Sequence, residues 1–476
     1  MSDLAARSVD ELSGLIETGQ VSPVEVTRAV LDNIGRHNDT LRAYIEVYRD
    51  DAMAAARDAE AEIASGRYRG HLHGVPMGVK DNLYFADRVT TMGSKIHAGF
   101  VSGTNATVVD RLSDAGAVFL GKLNMHEYAL GGTTDNPFHG TCRNPWDLSM
   151  SPGGSSGGSG AALASNMAVA ALGTDTSGSI RMPAALCGTV GLKPTYGRVS
   201  RFGCFPEAWT LDHVGPMTRT VKDAAIVLDA ISGHDARDPS SLDRPPTRTA
   251  GRLPTTLDGV VIGIDEGFFL ADVDDEVERC VREALDALRG RGAIVRSVSV
   301  PGLDSCEWAL ATIDICEAST VHDANLRDRP GDFGDGVRLL LECGQLPSAV
   351  EYLQAQQIRG HLGSTMQRVF GAVDVLVGPT TPTRTPRIGQ TTATVNGREV
   401  DASRSLWRLV GPASLLGLPC LSVPCGTAGG LPVGLQVIGP TLGEQQVLDV
   451  GHVLELDQPM GSLRATAYLE GLPVAD

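Results

Sequence analysis

At 476 residues, with 42% hydrophobic and 20% charged side chains, the chain has the composition of a folded protein with a sizeable core. Its formal charge of −17 excludes a free-standing nucleic-acid binder, because phosphate contacts need a basic surface; an RNA partner held through another protein stays open. The apolar runs fall far short of a membrane span, and the Met1-Ser-Asp-Leu start carries no signal-peptide pattern. Nine scattered cysteines without a C-x-x-C pair point to reduced core residues in a cytoplasmic protein, with no metal or redox motif.

Two capping boxes open the chain. Ser8-Val-Asp-Glu11 predicts a helix stopping near Gly19, and Ser22-Pro-Val-Glu25 predicts a second, with Val26, Ala29, Val30 and Ile34 on one face. Asp50 to Ile63 reads as a third helix. From Gly74 the texture changes. Val75 to Val79 reads as a buried strand ending at Lys80-Asp-Asn82, Thr107 to Ala115 as a helix, and Ala117 to Gly121 as a strand. Gly160 to Leu172 reads as helical. Residues 234–258 read as a surface connection. Beyond it Val260 to Ile264 and Val295 to Val300 read as strands around a helix carrying Val277, Val281, Ala284, Leu285 and Leu288. Val375 to Val377 and Leu421 to Val423 predict further strands, each closing at a proline. Helix and strand alternating argue for an α/β fold in one large domain, with a two-domain split near 240 as the alternative.

Two glycine-rich loops carry the chemistry. Ser151-Pro-Gly-Gly-Ser-Ser-Gly-Gly-Ser-Gly160 holds Ser155, and Gly173-Thr-Asp-Thr-Ser-Gly-Ser-Ile-Arg181 holds Ser179. A small hydroxyl beside several backbone N–H groups suits acyl transfer, which needs a nucleophile, a base and donors for an oxyanion. The first loop alone would read as a linker, but it is bracketed by apolar, helix-forming sequence. Gly153 to Gly157 also matches the G-x-S-x-G nucleophile elbow. That motif requires a preceding strand, whereas Arg143 to Pro152 reads as loop. An isolated lysine is ordinarily a surface residue. Lys80 ends an apolar run, where burial would lower its pKa and let it accept a proton. Thr176 to Ser179 offers four successive N–H groups, flanked by the oppositely charged Asp175 and Arg181. His71, His73, His97, His126, His139 and His213 show no triad spacing, and no nucleotide, zinc or calcium motif is present, so no cofactor or metal is implied.

Together these segments resemble the amidase signature family. The likeness rests on Gly74-Val-Pro-Met-Gly-Val-Lys-Asp-Asn82, Pro152 to Gly160, Gly173 to Arg181, Cys187-Gly-Thr-Val-Gly-Leu-Lys-Pro-Thr195 and Leu211-Asp-His-Val-Gly-Pro216. It continues more weakly to Gly434-Leu-Gln-Val-Ile-Gly439. The resemblance implies a single α/β/α domain over 1–476 around a large, mostly parallel, mixed central sheet flanked by helices. Residues 1–65 would be N-terminal helices, 70–230 the signature core, and 260–476 the remaining α/β part and pocket. It also implies a Ser–cis-Ser–Lys triad: Ser179 as nucleophile, Ser155 as bridging serine and Lys80 as base. The backbones of Thr176, Ser177, Gly178 and Ser179 would form the oxyanion hole, supported by Ser156, Asp175 and Arg181. One departure is visible, since many members have Gly-Gly-Ser where this chain has Ser177-Gly-Ser179.

The reaction so implied is amidohydrolase cleavage of the C–N bond of a small carboxamide, or a related acyl hydrazide, urea or ester, through an acyl-enzyme. The alternative is the glutaminase A-type subunit of a tRNA-dependent amidotransferase complex. Arg338 is a candidate for the carboxylate-binding arginine of such a glutaminase, but Ser403 to Gly417 holds no acid for glutamine's ammonium; Trp407 stands there instead. Position and side-chain type further suggest Thr133, Phe205, Trp209 and Ile313 as pocket residues. A small-molecule amide-type substrate is expected, with no direct nucleic-acid or membrane contact; a homodimer is a family-level expectation.

Overall fold

The computed structural model describes residues 4–457. Its strands in chain order are β1 (Tyr44–Val47), β2 (Pro76–Lys80), β3 (Val118–Leu123), β4 (Ala170–Asp175), β5 (Val190–Lys193), β6 (His213–Thr218), β7 (Val261–Ile264), β8 (Ile294–Ser297), β9 (Val375–Pro379), β10 (Thr392–Val395), β11 (Arg398–Asp401), β12 (Cys420–Ala428) and β13 (Leu431–Ile438). Eleven of them form one mixed sheet in the order β1-β3-β2-β4-β6-β5-β12-β13-β9-β7-β8, while β10 and β11 make a separate hairpin. Parallel pairing is concentrated in two blocks, β3-β2-β4 and β9-β7-β8. Antiparallel strands join the blocks and add β1 at one edge. Helices flank the sheet, and one core cluster runs from Ala5 to Leu454, giving a single α/β domain. Among the described residues no helix is long and apolar enough to cross a membrane, and the nine cysteines are free.

Local sequence explains the entry to this fold. Both capping boxes form, opening helices Val9–Glu17 and Pro23–Leu41, and Gly19 takes a positive φ just past the first. Arg49–Ala64 is the third helix. β2 and β4 are buried along their whole length, and for β2 this is why it reads as an apolar run without alternation.

Two elements differ from expectation. The stretch Gly160 to Leu172 divides into the end of helix Gly157–Ala164 and the start of β4. Ala168, Ala170 and Ala171 favour a helix in isolation, but Ala170 and Ala171 pair with β2 and Ala171 also with β6, and that pairing overrides propensity. β12 also runs through Pro424, where the register breaks before Gly426 and the missing N–H is tolerated.

The consequence for function lies at the ends of β2 and β4. These parallel neighbours pair Val79 with Leu172, so Lys80 leaves the sheet beside the Gly173–Thr174 step. Loops beyond the carboxyl ends of parallel strands are where α/β proteins gather ligands.

Candidate active site

Lys80 is 0% exposed, and its Nζ lies 2.8 Å from Ser155 Oγ and 2.7 Å from Thr174 Oγ1. Burial pushes its pKa from 10.5 down to about 8, against the opposing pull of Glu207, Cys204, Asp175 and Asp212. The ammonium is thus near the point of losing its proton at neutral pH. Asn82 Nδ2 also donates to Thr174 Oγ1, at 3.0 Å, fixing that hydroxyl between the two.

Ser155 is likewise 0% exposed and follows a cis peptide bond from Gly154. A side chain at 154 would begin 2.7 Å from the Thr133 amide nitrogen, so only glycine lets the two loops approach this closely. Ser156 connects the pieces. Its Oγ donates to the Thr174 carbonyl at 3.1 Å and accepts from the Thr174 amide at 3.3 Å, while its own amide donates to the Ser179 carbonyl at 3.2 Å.

Ser179 differs from its companions. It is 5% exposed, and among the described residues its hydroxyl has no hydrogen-bond partner. Of Lys80, Ser155 and Ser179, it alone has surface open to an incoming molecule.

Asp175 organises the loop that carries Ser179. Its carboxylate accepts from the amides of Gly178 (2.8 Å) and Ile180 (3.2 Å) and from Arg181 Nε and Nη2, both at 3.0 Å. Burial opposes its charge, but the Arg181 guanidinium outweighs burial and holds the carboxyl well below the usual carboxylate range. Arg181 is anchored in turn by the Val410 carbonyl at 2.9 Å and Ser414 Oγ at 2.6 Å. Gly178 has φ +113°, and a side chain there would meet Val410 Cγ2 at 2.5 Å. Its amide, expected among the oxyanion donors, is instead committed to Asp175. The amides of Thr176, Ser177 and Ser179 carry no such bond among the described residues and are left as donors.

Arg181→Met should therefore lower unfolding free energy by about 3–5 kcal/mol, because it leaves Asp175 charged and buried without its counter-ion. Chemical denaturation measures this, and a loss below about 1 kcal/mol would contradict the pairing.

The expected pocket residues divide. Trp407 packs with Met182, Leu186, Leu406 and Val410, next to the Ser179 loop. Thr133 lines a cavity of about 150 Å³ with Ser151 and Leu406. Phe205 joins an aromatic group with Tyr128, His97 and His322. Trp209 is 41% exposed and borders a pocket of about 180 Å³ that reaches Cys204 and Asp212. The other two stand in different settings. Ile313 is wholly buried in the main core. Arg338 lies part-exposed on helix Asp335–Cys343, paired with Asp335 at 3.3 Å and Glu342 at 3.7 Å on its own helix.

Three acids went unassigned in the sequence. Thr176 Oγ1 lies 2.8 Å from Glu207 Oε2 and 2.7 Å from Asp212 Oδ1, and Ser177 Oγ donates to Asp314 Oδ2 at 2.6 Å. The one available signal was the serine standing at 177 in place of glycine. Its added hydroxyl needs a buried acceptor, which helix Cys306–Asp328 supplies through Asp314.

The fold thus sets a buried lysine against a serine beyond the strand ends of a mixed α/β sheet. The Amidase family profile matches residues 25–448. The chain belongs to the amidase signature family of hydrolases. It is 40% identical to the A subunit of glutamyl-tRNA(Gln) amidotransferase from Chloroflexus aurantiacus (strain J-10-fl), over 96% of this chain and 97% of the relative. A solved protein from a vestigial complex bearing on the origins of an s-triazine catabolic enzyme superposes with TM-score 0.91 at 33% identity, covering 95% of this chain and 99% of that one. A bacterial aryl acylamidase superposes with TM-score 0.87 at 29% identity, covering 98% and 99%.

Proposed function

We propose that this chain cleaves an amide C–N bond by acyl transfer to Ser179. Neutral Lys80 draws a proton from Ser155, and Ser155 draws one from Ser179 as its oxygen attacks the carbonyl carbon. The amides of Thr176, Ser177 and Ser179 hold the oxyanion. The proton returns through Ser155 to the departing nitrogen, and water then releases the acyl group by the same relay. The observation that carries this reading is the buried Lys80, 2.8 Å from Ser155 Oγ and with its pKa pushed down to about 8.

The direct test is peptide mass mapping after treatment with a small fluorophosphonate. The expected adduct is on Ser179. An adduct on Ser155 instead would overturn the assignment of roles.

Two substrate readings remain, each with its own support. The amidotransferase names of relatives at 36–40% identity over nearly the whole chain favour a glutamine-hydrolysing component that releases ammonia within a complex. The part-exposed position of Arg338, and Trp407 beside the loop in a stretch, Ser403 to Gly417, that holds no acid, favour a stand-alone hydrolase of small carboxamides. Glutamine and a panel of neutral amides, assayed on the chain alone and with partner proteins added, separate them. Glutaminase activity that appears only with partners selects the first. Turnover of amides by the isolated chain selects the second. A homodimer in a cytoplasmic setting completes the second proposal.

A further inference from the structure

The contacts of Thr176 require a proton that the relay does not account for. A threonine hydroxyl has one hydrogen to donate. Thr176 Oγ1 nonetheless lies at hydrogen-bond distance from two carboxyl oxygens, 2.8 Å from Glu207 Oε2 and 2.7 Å from Asp212 Oδ1. If both acids were ionised, one carboxylate oxygen would face a hydroxyl oxygen with nothing between them. One acid must carry the second hydrogen.

Which acid carries it follows from the remaining contacts. Asp212 accepts the amide of Ala208 on Oδ1 and that of Glu207 on Oδ2, both at 3.1 Å, and these stabilise its charged form. The Glu207 carboxyl receives no backbone donor among the described residues. It is 6% exposed and faces Asp314 and Asp212 as like charges, with Lys80 as the nearby cation. Arg201 lies on the Asp212 side and Glu317 on the Asp314 side.

We propose that Glu207 is a positioning residue held neutral. Its carboxyl proton donates to Thr176 Oγ1, Thr176 donates to Asp212, and this one-way chain aims the loop amides at the oxyanion. Ser177 donating to Asp314 is the second tether of the same loop. Burial supports the assignment: it raises Glu207 well above the usual carboxylate range, with Asp314 and Asp212 adding to it, and raises Asp212 only to about 6. Loss of the Glu207 proton at high pH breaks the chain and sets a second anion beside Lys80 and the oxyanion site. Turnover then falls on the alkaline side, while Lys80 sets the acid side.

This inference rests on Ser179 as the acyl-accepting serine. Two isosteric changes test it because they should behave oppositely. Glu207→Gln keeps a donor toward Thr176 that cannot ionise. It should retain turnover within about threefold of the native chain and lose the alkaline fall. Asp212→Asn puts an N–H against the backbone N–H of Glu207 or Ala208, and it should lose about 10²-fold in kcat with KM little changed, as Glu207→Ala should. Glu207→Gln as impaired as Glu207→Ala, or keeping the alkaline fall, would overturn the proposal. Infrared spectroscopy gives a readout independent of turnover. At neutral pH a carboxylic-acid C=O band should vanish in Glu207→Gln and persist in Asp212→Asn; the reverse pattern would overturn it. If no amide is turned over by any form, the functional reading fails while the band still decides where the proton resides.

Discussion

Ser179→Ala should lower amide turnover by about 10⁴-fold or more with the fold intact, since removal of a serine nucleophile leaves only what binding and oxyanion donors supply. Several hydroxyls lie near this position, yet none is free to take over. Ser155 is 0% exposed, Thr176 Oγ1 is held between Glu207 and Asp212, and Ser177 Oγ is held by Asp314. The Ser179 hydroxyl has no partner among the described residues, so deleting it should change stability by about 1 kcal/mol or less. Steady-state rates together with a thermal melt check both halves. Turnover within tenfold of the native chain would remove Ser179 from the mechanism.

Lys80→Met should lower kcat by about 10²–10⁴-fold, the range typical for loss of a general base. In the native chain the rate should rise with pH through about 8, as Lys80 gives up its proton. That rise should be absent from whatever activity the methionine variant keeps. Stability should also rise with pH above about 8. Lys80 titrates near 8 when folded and near 10.5 when unfolded, so between those values the unfolded chain binds more protons and stability gains as pH rises. Below about 8 the buried ammonium is a full liability of roughly 3 kcal/mol, offset in part by its bonds to Ser155 and Thr174. Lys80→Met should thus be no less stable than the native chain at pH 7, with any advantage shrinking above 8. A variant that loses stability at pH 7 but keeps its pH-dependent rate would contradict both expectations.

The helix starts were legible because capping is local: Ser8 with Glu11 and Ser22 with Glu25 satisfy the backbone within four residues. The two glycine-rich loops and Lys80 were legible because their chemistry restricts residue type. Helix Cys306–Asp328 was not. It is enclosed by helices Asp335–Cys343 and Ala349–Val369, so its buried residues are distributed around it rather than along one stripe. Asp314 was hidden with it. Glu207 was invisible for a different reason, since a lone acid in a loop has no pattern and its meaning comes only from Thr176 arriving beside it. The ion pairs of Arg338 were legible too. Asp335 and Glu342 sit three residues before it and four after it, the spacing of ion pairs on a solvated helix face.

The order of strands in the sheet has a consequence during synthesis. β12 and β13, the last strands in chain order among the described residues, fill the middle of the sheet between β5 and β9. A nascent chain ending at Arg408 already contains Lys80, Ser155 and Ser179, yet it lacks the Val410 and Ser414 that seat Arg181. Its two half-sheets also present unpaired edges at β5 and β9, the kind of surface on which growing chains aggregate or recruit chaperones. A ribosome therefore carries a chain with two open sheet edges until β12 and β13 have emerged, and the seat of Arg181 forms only when that strand pair closes the sheet.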